Sequence, residues 1–338
     1  MLTDQIKTLI DGKHLPQDVM RRTMGEIMDG KVHEIQIAGF LIALRCKGET
    51  VDEITGAAEA MRSRMSAIHI KADTPIFDTC GTGGDGAHTF NISTAVSFVV
   101  AAAGITVAKH GNRAISSKSG SADVLVASGV NIAAPLDVVQ RCIREAGIGF
   151  LFAPEFHPAM RHAATVRQTL GVRTLFNLLG PLTNPAHATH QLMGVFSKHF
   201  LVPLAGALGR LGTLRAWVVH SDDGLDEISV CADTHVAEWT GTGVREFTIR
   251  PEDVGIARAN IDDLAGGDAK RNAEIMREIL RGKNKGAMRD AVAINAGAAI
   301  CIAGKARDLK QGTERAHEIL SSGEALGRLD ALIAITTE

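Results

Sequence analysis

From Pro75 onward the sequence alternates short apolar runs with glycine loops and helical stretches, and this alternation constrains the fold more than any other feature. "PIFDTC", "GITVAKH" and "RAWVVH" are the clearest strand-like runs. Strands separated by helical stretches make an α/β domain with a largely parallel central sheet flanked by helices. In such folds ligands sit in the crevice outside the carboxyl ends of the strands, so the loops leaving these runs are where function is sought.

Residues 1–70 read differently. Glycines at 12, 30 and 48 punctuate helical stretches, Pro16 stands where a first turn tolerates it, and Met20, Met24, Ile27 and Met28 recur at helical spacing. At 338 residues the chain suits two domains, or one large α/β domain with an appendage. The expectation is a small N-terminal helical domain over 1–70 and a larger α/β domain over 75–338, with the helical segment 158–185 packing back on the small domain. "IQIAGFLIALRC" is apolar nearly all round. It is either the middle of the helical bundle or a helix that packs against a second copy of the chain.

Charge is balanced, with 36 Lys+Arg against 38 Asp+Glu, so no bulk field draws the chain to nucleic acid or to an anionic membrane. The five cysteines are scattered without a C-x-x-C pair, which argues against a disulfide framework or a zinc site. The N-terminal "MLTDQIKTLIDGK" lacks the apolar stretch of a signal peptide. The most apolar run, "AVSFVVAAAGITVA", is broken by Gly104 and falls short of the roughly 20 residues of a membrane span. A soluble, cytoplasmic protein is expected.

"GTGGDG" satisfies G-x-G-x-x-G through Gly81, Gly83 and Gly86, after a strand and before a helix. A dinucleotide site would want an acidic residue about 20 positions on, yet none lies between Asp85 and Asp123. A Walker A loop is absent too, because Gly86 is followed by Ala87 and His88. What remains is a loop of backbone donors leading into "NISTA", where Asn91, Ser93 and Thr94 sit at the positive end of a helix. Either this is an anion site or it is a tight turn with an ordinary N-cap. Asp85 within it repels phosphate unless a cation or sugar hydroxyls engage its carboxylate.

The next strand runs into "VAKHGNRAISSKSGSADVL", which places Lys109, His110, Arg113 and Lys118 among glycines and serines before a helix from about Ser121. Four basic groups of this kind could neutralise a pyrophosphate and a further phosphate. After "RAWVVH" comes "SDDGLDEIS", with Asp222, Asp223, Asp226 and Glu227. Such a loop is either a solvated acidic turn or a seat for Mg²⁺, which takes one or two carboxylates plus phosphate oxygens. "FHPAMRHAATVRQTLG" reads as a helix opened by Pro158, with Met160, Ala164 and Arg167 on one face. Arg167 there either clamps a carboxylate or is an ordinary surface arginine.

With these segments assembled, the chain resembles the anthranilate phosphoribosyltransferases nearly end to end. The resemblance rests on "DTCGTGGDG" with "TFNISTA", "KHGNRAISSKSGSADVL", "HPAM", "VRQTLGVRTLFNLLGPLTNPA", "GLDEIS" and "NAGAAICIAGKA". Val126 departs from it, standing where an acidic residue is expected, beyond the binding loop.

The resemblance implies transfer of a phosphoribosyl group from 5-phosphoribosyl 1-pyrophosphate to anthranilate in tryptophan biosynthesis, by a cytoplasmic Mg²⁺-dependent homodimer. It implies that Gly81, Gly84, Asp85, Thr89, Asn91, Ser93 and Thr94 hold the phosphoribosyl pyrophosphate. Lys109, His110, Gly111, Asn112, Arg113, Ala114, Ile115, Ser116 and Ser117 of the second loop, and Ser121 after it, are implied to share that task. Gly81, Asn112 and Arg167 are implied to meet anthranilate, and Ser93, Asp226 and Glu227 to hold Mg²⁺. A nucleic-acid-binding relative of the same fold would need a basic groove that a net charge of −2 does not support. A nucleoside phosphorylase would have no use for the acidic pair beside a second phosphate loop.

Overall fold

The structure is a computed structural model that describes residues 2–70, 75–84, 86–114 and 118–338. Helices α1 (Leu2–Ile10), α2 (Gln17–Met28), α3 (Glu34–Lys47) and α4 (Val51–Arg62) form the N-terminal unit. A capping box starts α4: Thr50 Oγ1 accepts the Glu53 N–H, and Glu53 returns the bond to the Thr50 N–H. The Glu53 carboxylate also accepts the Leu15 N–H at 2.9 Å and pairs with Lys47 at 2.7 Å. One buried carboxylate therefore ties three segments together, with its charge matched.

Phe40 of α3 is fully buried, in the same apolar cluster as Met20, Met24 and Ile54. The segment "IQIAGFLIALRC" is thus part of the bundle core through Phe40, Leu41 and Leu44. Its opposite face, with Ile35 at 76 % and Ile42 at 36 % exposure, stays open.

The remainder is built on a seven-stranded sheet of β1 (Ile76–Gly81), β2 (Thr106–Gly111), β3 (Ile148–Phe152), β4 (His190–Gly194), β5 (Arg215–Ser221), β6 (Thr234–Trp239) and β7 (Val244–Ile249). Its order is β3-β2-β1-β4-β5-β6-β7, parallel from β3 through β5 and antiparallel across β5-β6-β7. Strand order reverses between β1 and β4, where Gly81 pairs with Gly194, and a switch point of this kind opens a crevice at the strands' carboxyl ends.

The chain crosses between strands through α5 (Ile92–Ala102), α6 (Ser121–Ala127), α7 (Leu136–Glu145), α8 (Ala153–Phe156), α9 (Arg161–Leu170), α10 (Phe176–Leu179) and α11 (Leu201–Arg210). It ends in α12 (Ala269–Leu280), α13 (Ala287–Ile302), α14 (Leu309–Ser322) and α15 (Glu324–Thr337). Side chains alternate along the strands and divide the core in two. Leu192, Trp217, Val219 and Val236 pack with α5 and α13, whereas Met193, Val218 and Ala237 pack with α11 and the N-terminal helices. Ala163 and Val166 of α9 and Phe176 of α10 belong to the second cluster, so the segment after Pro158 shares a core with the N-terminal unit.

A helix running from Pro158 would put Met160, Ala164 and Arg167 on one face, but residues 158–160 form a single 3₁₀ turn and α9 begins at Arg161. The tighter winding of that turn shifts Met160 relative to α9. Ala164 is exposed, and Arg167 sits half-buried at the edge of the face set by Ala163 and Val166. Among the described residues no helix is long and apolar enough to cross a membrane.

Candidate functional site

Loops from the carboxyl ends of β1, β2 and β5 meet at the switch point. In the first, Gly83, Gly84 and Gly86 have φ of 67°, 77° and 78°, a left-handed backbone that side chains resist. Asp85 lies outside the described residues. Thr89 is pinned by a backbone bridge to Ala265. Asn91 precedes α5 but does not cap it. Its amide donates to the Ser119 carbonyl at 3.1 Å, and its Oδ1 accepts from Asn272 at 2.9 Å, so it joins the first loop, the second and α12. Ser93 is partly accessible in the first turn of α5, while Thr94 beside it is buried.

The second loop is less cationic than its sequence. Lys109 is buried, and its Nζ donates to the Thr79 carbonyl at 2.6 Å and lies 3.5 Å from Ser93 Oγ. Burial works against the charge on Lys109 and on the buried Asp78 alike, and each charge favours the other. The His110 backbone N–H donates to Asp78 at 3.2 Å, and its ring faces the ring of His157 with centroids 5.1 Å apart. Burial, reinforced by the neighbouring ring, pushes His110 down to about 3, and burial takes His157 to about 4. Both rings are neutral near pH 7, so His110 does not join the cations expected from the sequence.

Arg113 is also engaged, in a 3.1 Å ion pair with Asp123. The same carboxylate accepts the N–H groups of Ala114 and Gly120, each at 2.9 Å, and so closes the loop on itself. Gly111 ends β2, Asn112 is exposed, and the Ser121 hydroxyl lies 3.4 Å from the Asn112 carbonyl. Ile115, Ser116 and Ser117 lie outside the described residues. Lys118 is exposed beyond them.

The acidic loop splits into two pairs. Asp222 pairs with His235 at 2.7 Å, and Asp223 accepts the Ser229 hydroxyl at 2.5 Å and the Leu225 N–H, so these two stabilise their own turn. Asp226 and Glu227 reach across to the first loop. Asp226 Oδ2 accepts the Gly83 N–H at 2.8 Å, and Glu227 Oε1 accepts the Ser93 N–H at 3.1 Å. Two glycines permit the approach: a Cβ on Gly81 would collide with the Asp226 carboxylate, and one on Gly194 with the Asp226 carbonyl. The carboxylates of Asp226 and Glu227 and the Ser93 hydroxyl are oxygen donors of the hard type that Mg²⁺ accepts.

Arg167 lies with its guanidinium 5.2 Å from the centre of the Phe176 ring, and burial lowers it from the ordinary arginine range. Among the described residues it has no carboxylate partner. Two residues that the sequence does not flag also shape the site. Arg173 donates to the Gly84 carbonyl while stacking 4.4 Å over Phe196, which links the segment after α9 to the glycine loop. Gly194 seats Asp226, and a single glycine at a strand end carries no sequence signal for that role.

Residues 3–65 match the helical bundle domain of a glycosyl transferase family and residues 73–326 match its a/b domain. An anthranilate phosphoribosyltransferase from Anaeromyxobacter dehalogenans is 52 % identical over 337 residues, covering 100 % of this chain and 99 % of the relative. The crystal structure of the Thermus thermophilus anthranilate phosphoribosyltransferase superposes with a TM-score of 0.93 at 46 % identity, over 98 % of this chain and 99 % of that one. The Saccharomyces cerevisiae enzyme, in complex with PRPP and Mg, gives 0.91 at 27 % identity over 99 % and 98 %. With identity at this level from end to end and the glycine, basic and acidic loops brought to one crevice, the chain belongs to the anthranilate phosphoribosyltransferase family.

Proposed function

We propose that the protein transfers the 5-phosphoribosyl group of 5-phosphoribosyl 1-pyrophosphate to the amine of anthranilate in tryptophan biosynthesis. The products are N-(5-phosphoribosyl)anthranilate and pyrophosphate. One observation carries the reading: Asp226 and Glu227 converge on the N–H groups of Gly83 and Ser93 at the mouth of the glycine loop. That arrangement suits a substrate delivering phosphates and a divalent cation together.

In the reaction a bond forms between the amine nitrogen and C1 of the ribose, the bond from C1 to the pyrophosphate oxygen breaks, and the amine loses a proton. An aryl amine is neutral near pH 7, so the nucleophile needs no activation, and departure of pyrophosphate is the harder task. The loop N–H groups from Gly81 to Gly86, the hydroxyls of Thr89 and Ser93, and Asn91 would bind the phosphoribosyl pyrophosphate. Lys109 and the exposed Lys118 would supply positive charge. Ser93, Asp226 and Glu227 would hold Mg²⁺, which when bound offsets charge developing on the leaving group. Arg167 and Asn112 would orient anthranilate, the guanidinium taking its carboxylate and the Phe176 ring fixing the guanidinium. The neutral rings of His110 and His157 add no charge to the phosphate site.

The open face of α3, with Ile35 and Ile42, suits a homodimer through the helical unit. Five free thiols suit a reducing cytoplasm. Loss of anthranilate fluorescence, followed with each component omitted in turn, tests the reaction. Turnover is expected only with phosphoribosyl pyrophosphate and Mg²⁺ both present, and equal turnover in excess chelator would overturn it.

A further inference from the structure

The run "AVAINAGAAICIA" on α13 is apolar except for Asn295, which is fully buried. Its side chain turns to the acidic loop. Asn295 Oδ1 accepts the Ile228 N–H at 2.9 Å, and its Nδ2 donates to the Ile228 carbonyl at 2.8 Å and to the Ala291 carbonyl at 2.9 Å. Ile228 directly follows Glu227. The Glu227 carbonyl, at the other end of the same peptide plane, accepts the Ser221 hydroxyl at 2.7 Å. The peptide joining Glu227 to Ile228 is therefore held at both ends, its carbonyl by the end of β5 and its N–H by α13.

Resting on the phosphoribosyl transfer reading, we infer that Asn295 is a positioning residue for the metal-binding pair Asp226–Glu227, fixing the backbone from which both carboxylates reach the glycine loop. A lone polar side chain inside a buried helix is costly unless every polar atom is matched, and here both amide donors and the oxygen are used. Two of the three bonds go to Ile228, in the segment that carries the two carboxylates, and the third to the Ala291 carbonyl one turn back on α13. A buried ring of hydrogen bonds behind a pair of ligands sets their direction, in the way that outer partners of metal ligands tune affinity.

Asn295→Leu keeps the bulk and removes all three bonds. Asn295→Ser puts one hydroxyl in place of the amide and keeps the test open if the leucine variant does not fold. Ile302→Ala, two turns along the same helix, is the control for a general loss of core packing, and thermal melting ranks the variants by stability. Binding of Mn²⁺ in the presence of phosphoribosyl pyrophosphate, read from the paramagnetic resonance of free Mn²⁺, is the direct measurement. The Mn²⁺ dissociation constant should rise about 10-fold in Asn295→Leu, and less in Asn295→Ser, while Ile302→Ala stays at the wild-type value. The Mg²⁺ activation constant should rise in parallel, with KM for anthranilate unchanged. Wild-type Mn²⁺ affinity in the Asn295 variants, or an equal rise in Ile302→Ala, overturns the inference and leaves the functional reading standing. A wild-type chain that binds no Mn²⁺ overturns the metal assignment and the inference with it.

Discussion

The carbonyl of Asp226 occupies the space that a Cβ on Gly194 would need, so the acidic loop lies flat on the end of β4 only because that position is glycine. Gly81, paired with Gly194 across the two strands, makes the same allowance for the Asp226 carboxylate. Gly194→Ala should therefore lift the loop while leaving the sheet paired. A displacement of about 1 Å at a site of this type costs on the order of 100-fold in rate. Steady-state kinetics should show that loss in kcat with a raised Mg²⁺ requirement and near-native circular dichroism. Wild-type kinetics in Gly194→Ala would mean that the loop has another stable seat.

Replacing Asp226 and Glu227 together with alanine removes two acceptors from the Gly83 and Ser93 N–H groups as well as two carboxylates from the crevice. Both side chains are only half-buried, so the fold should persist. Activity should fall by roughly 100-fold or more, and what remains should no longer respond to Mg²⁺. An unchanged Mg²⁺ titration in the double variant would remove these residues from the metal site.

Much of this arrangement is legible in the sequence, because loops after strands are marked by glycine and by clustered charge. "PIFDTC", "GITVAKH" and "RAWVVH" are β1, β2 and β5, the three strands that deliver the site loops. β3 and β4 are five residues each, too short for a period to declare itself, and β6 and β7 are antiparallel additions outside the βα alternation. Charge was the least legible property. Four basic letters in a row of loop positions look alike, yet burial neutralises His110, Asp78 answers Lys109, and Asp123 answers Arg113. Nothing local to the 107–125 segment tells that Lys109 and His110 point into the sheet while Lys118 stays in solvent.

The histidine pair should appear in the pH dependence of stability. His110 and His157 titrate in the folded protein at about 3 and about 4, below the ordinary 6.5, because burial disfavours their charged forms. The unfolded chain thus binds protons that the folded chain refuses, and acid favours unfolding. Stability from this source is complete above about pH 6.5 and declines as pH falls toward the folded values, by about 1.4 kcal/mol per pH unit for each histidine. Urea unfolding between pH 5 and pH 6 should show His110→Gln with a slope shallower by about that amount. Equal slopes would mean that His110 is protonated in the folded state.

Two substitutions on α3 separate its two faces. Phe40 is fully buried within its own chain, so Phe40→Ala should cost about 3 to 5 kcal/mol in chemical unfolding, by opening a cavity in the helical core. Ile42→Asp leaves that core intact and places a charge on the open face, where Ile35 also lies. Sedimentation should show the Ile42 variant shifted toward monomer with its melting profile otherwise kept. A wild-type sedimentation profile for Ile42→Asp would mean that this face carries no subunit contact.

On the proposed reading, Arg167 should separate the two substrates. Its guanidinium is half-buried against Phe176, has no carboxylate partner among the described residues, and projects from α9, an element apart from the glycine and basic loops. A cation held in that state would suit an incoming carboxylate. Anthranilate has one, whereas the phosphates have backbone N–H groups, Lys109 and Lys118. Arg167→Ala removes a charge-assisted bond worth roughly 1.5 to 3 kcal/mol, which is about ten- to a hundred-fold in kcat/KM for anthranilate. KM for phosphoribosyl pyrophosphate should remain near the wild-type value, and Arg167→Lys should recover only part of the loss, since a point charge cannot form the two-pronged bond. A rise confined to the phosphoribosyl pyrophosphate KM would place Arg167 at the phosphate end of the crevice, and its stacking on Phe176 would then serve the sugar and not the aromatic acid.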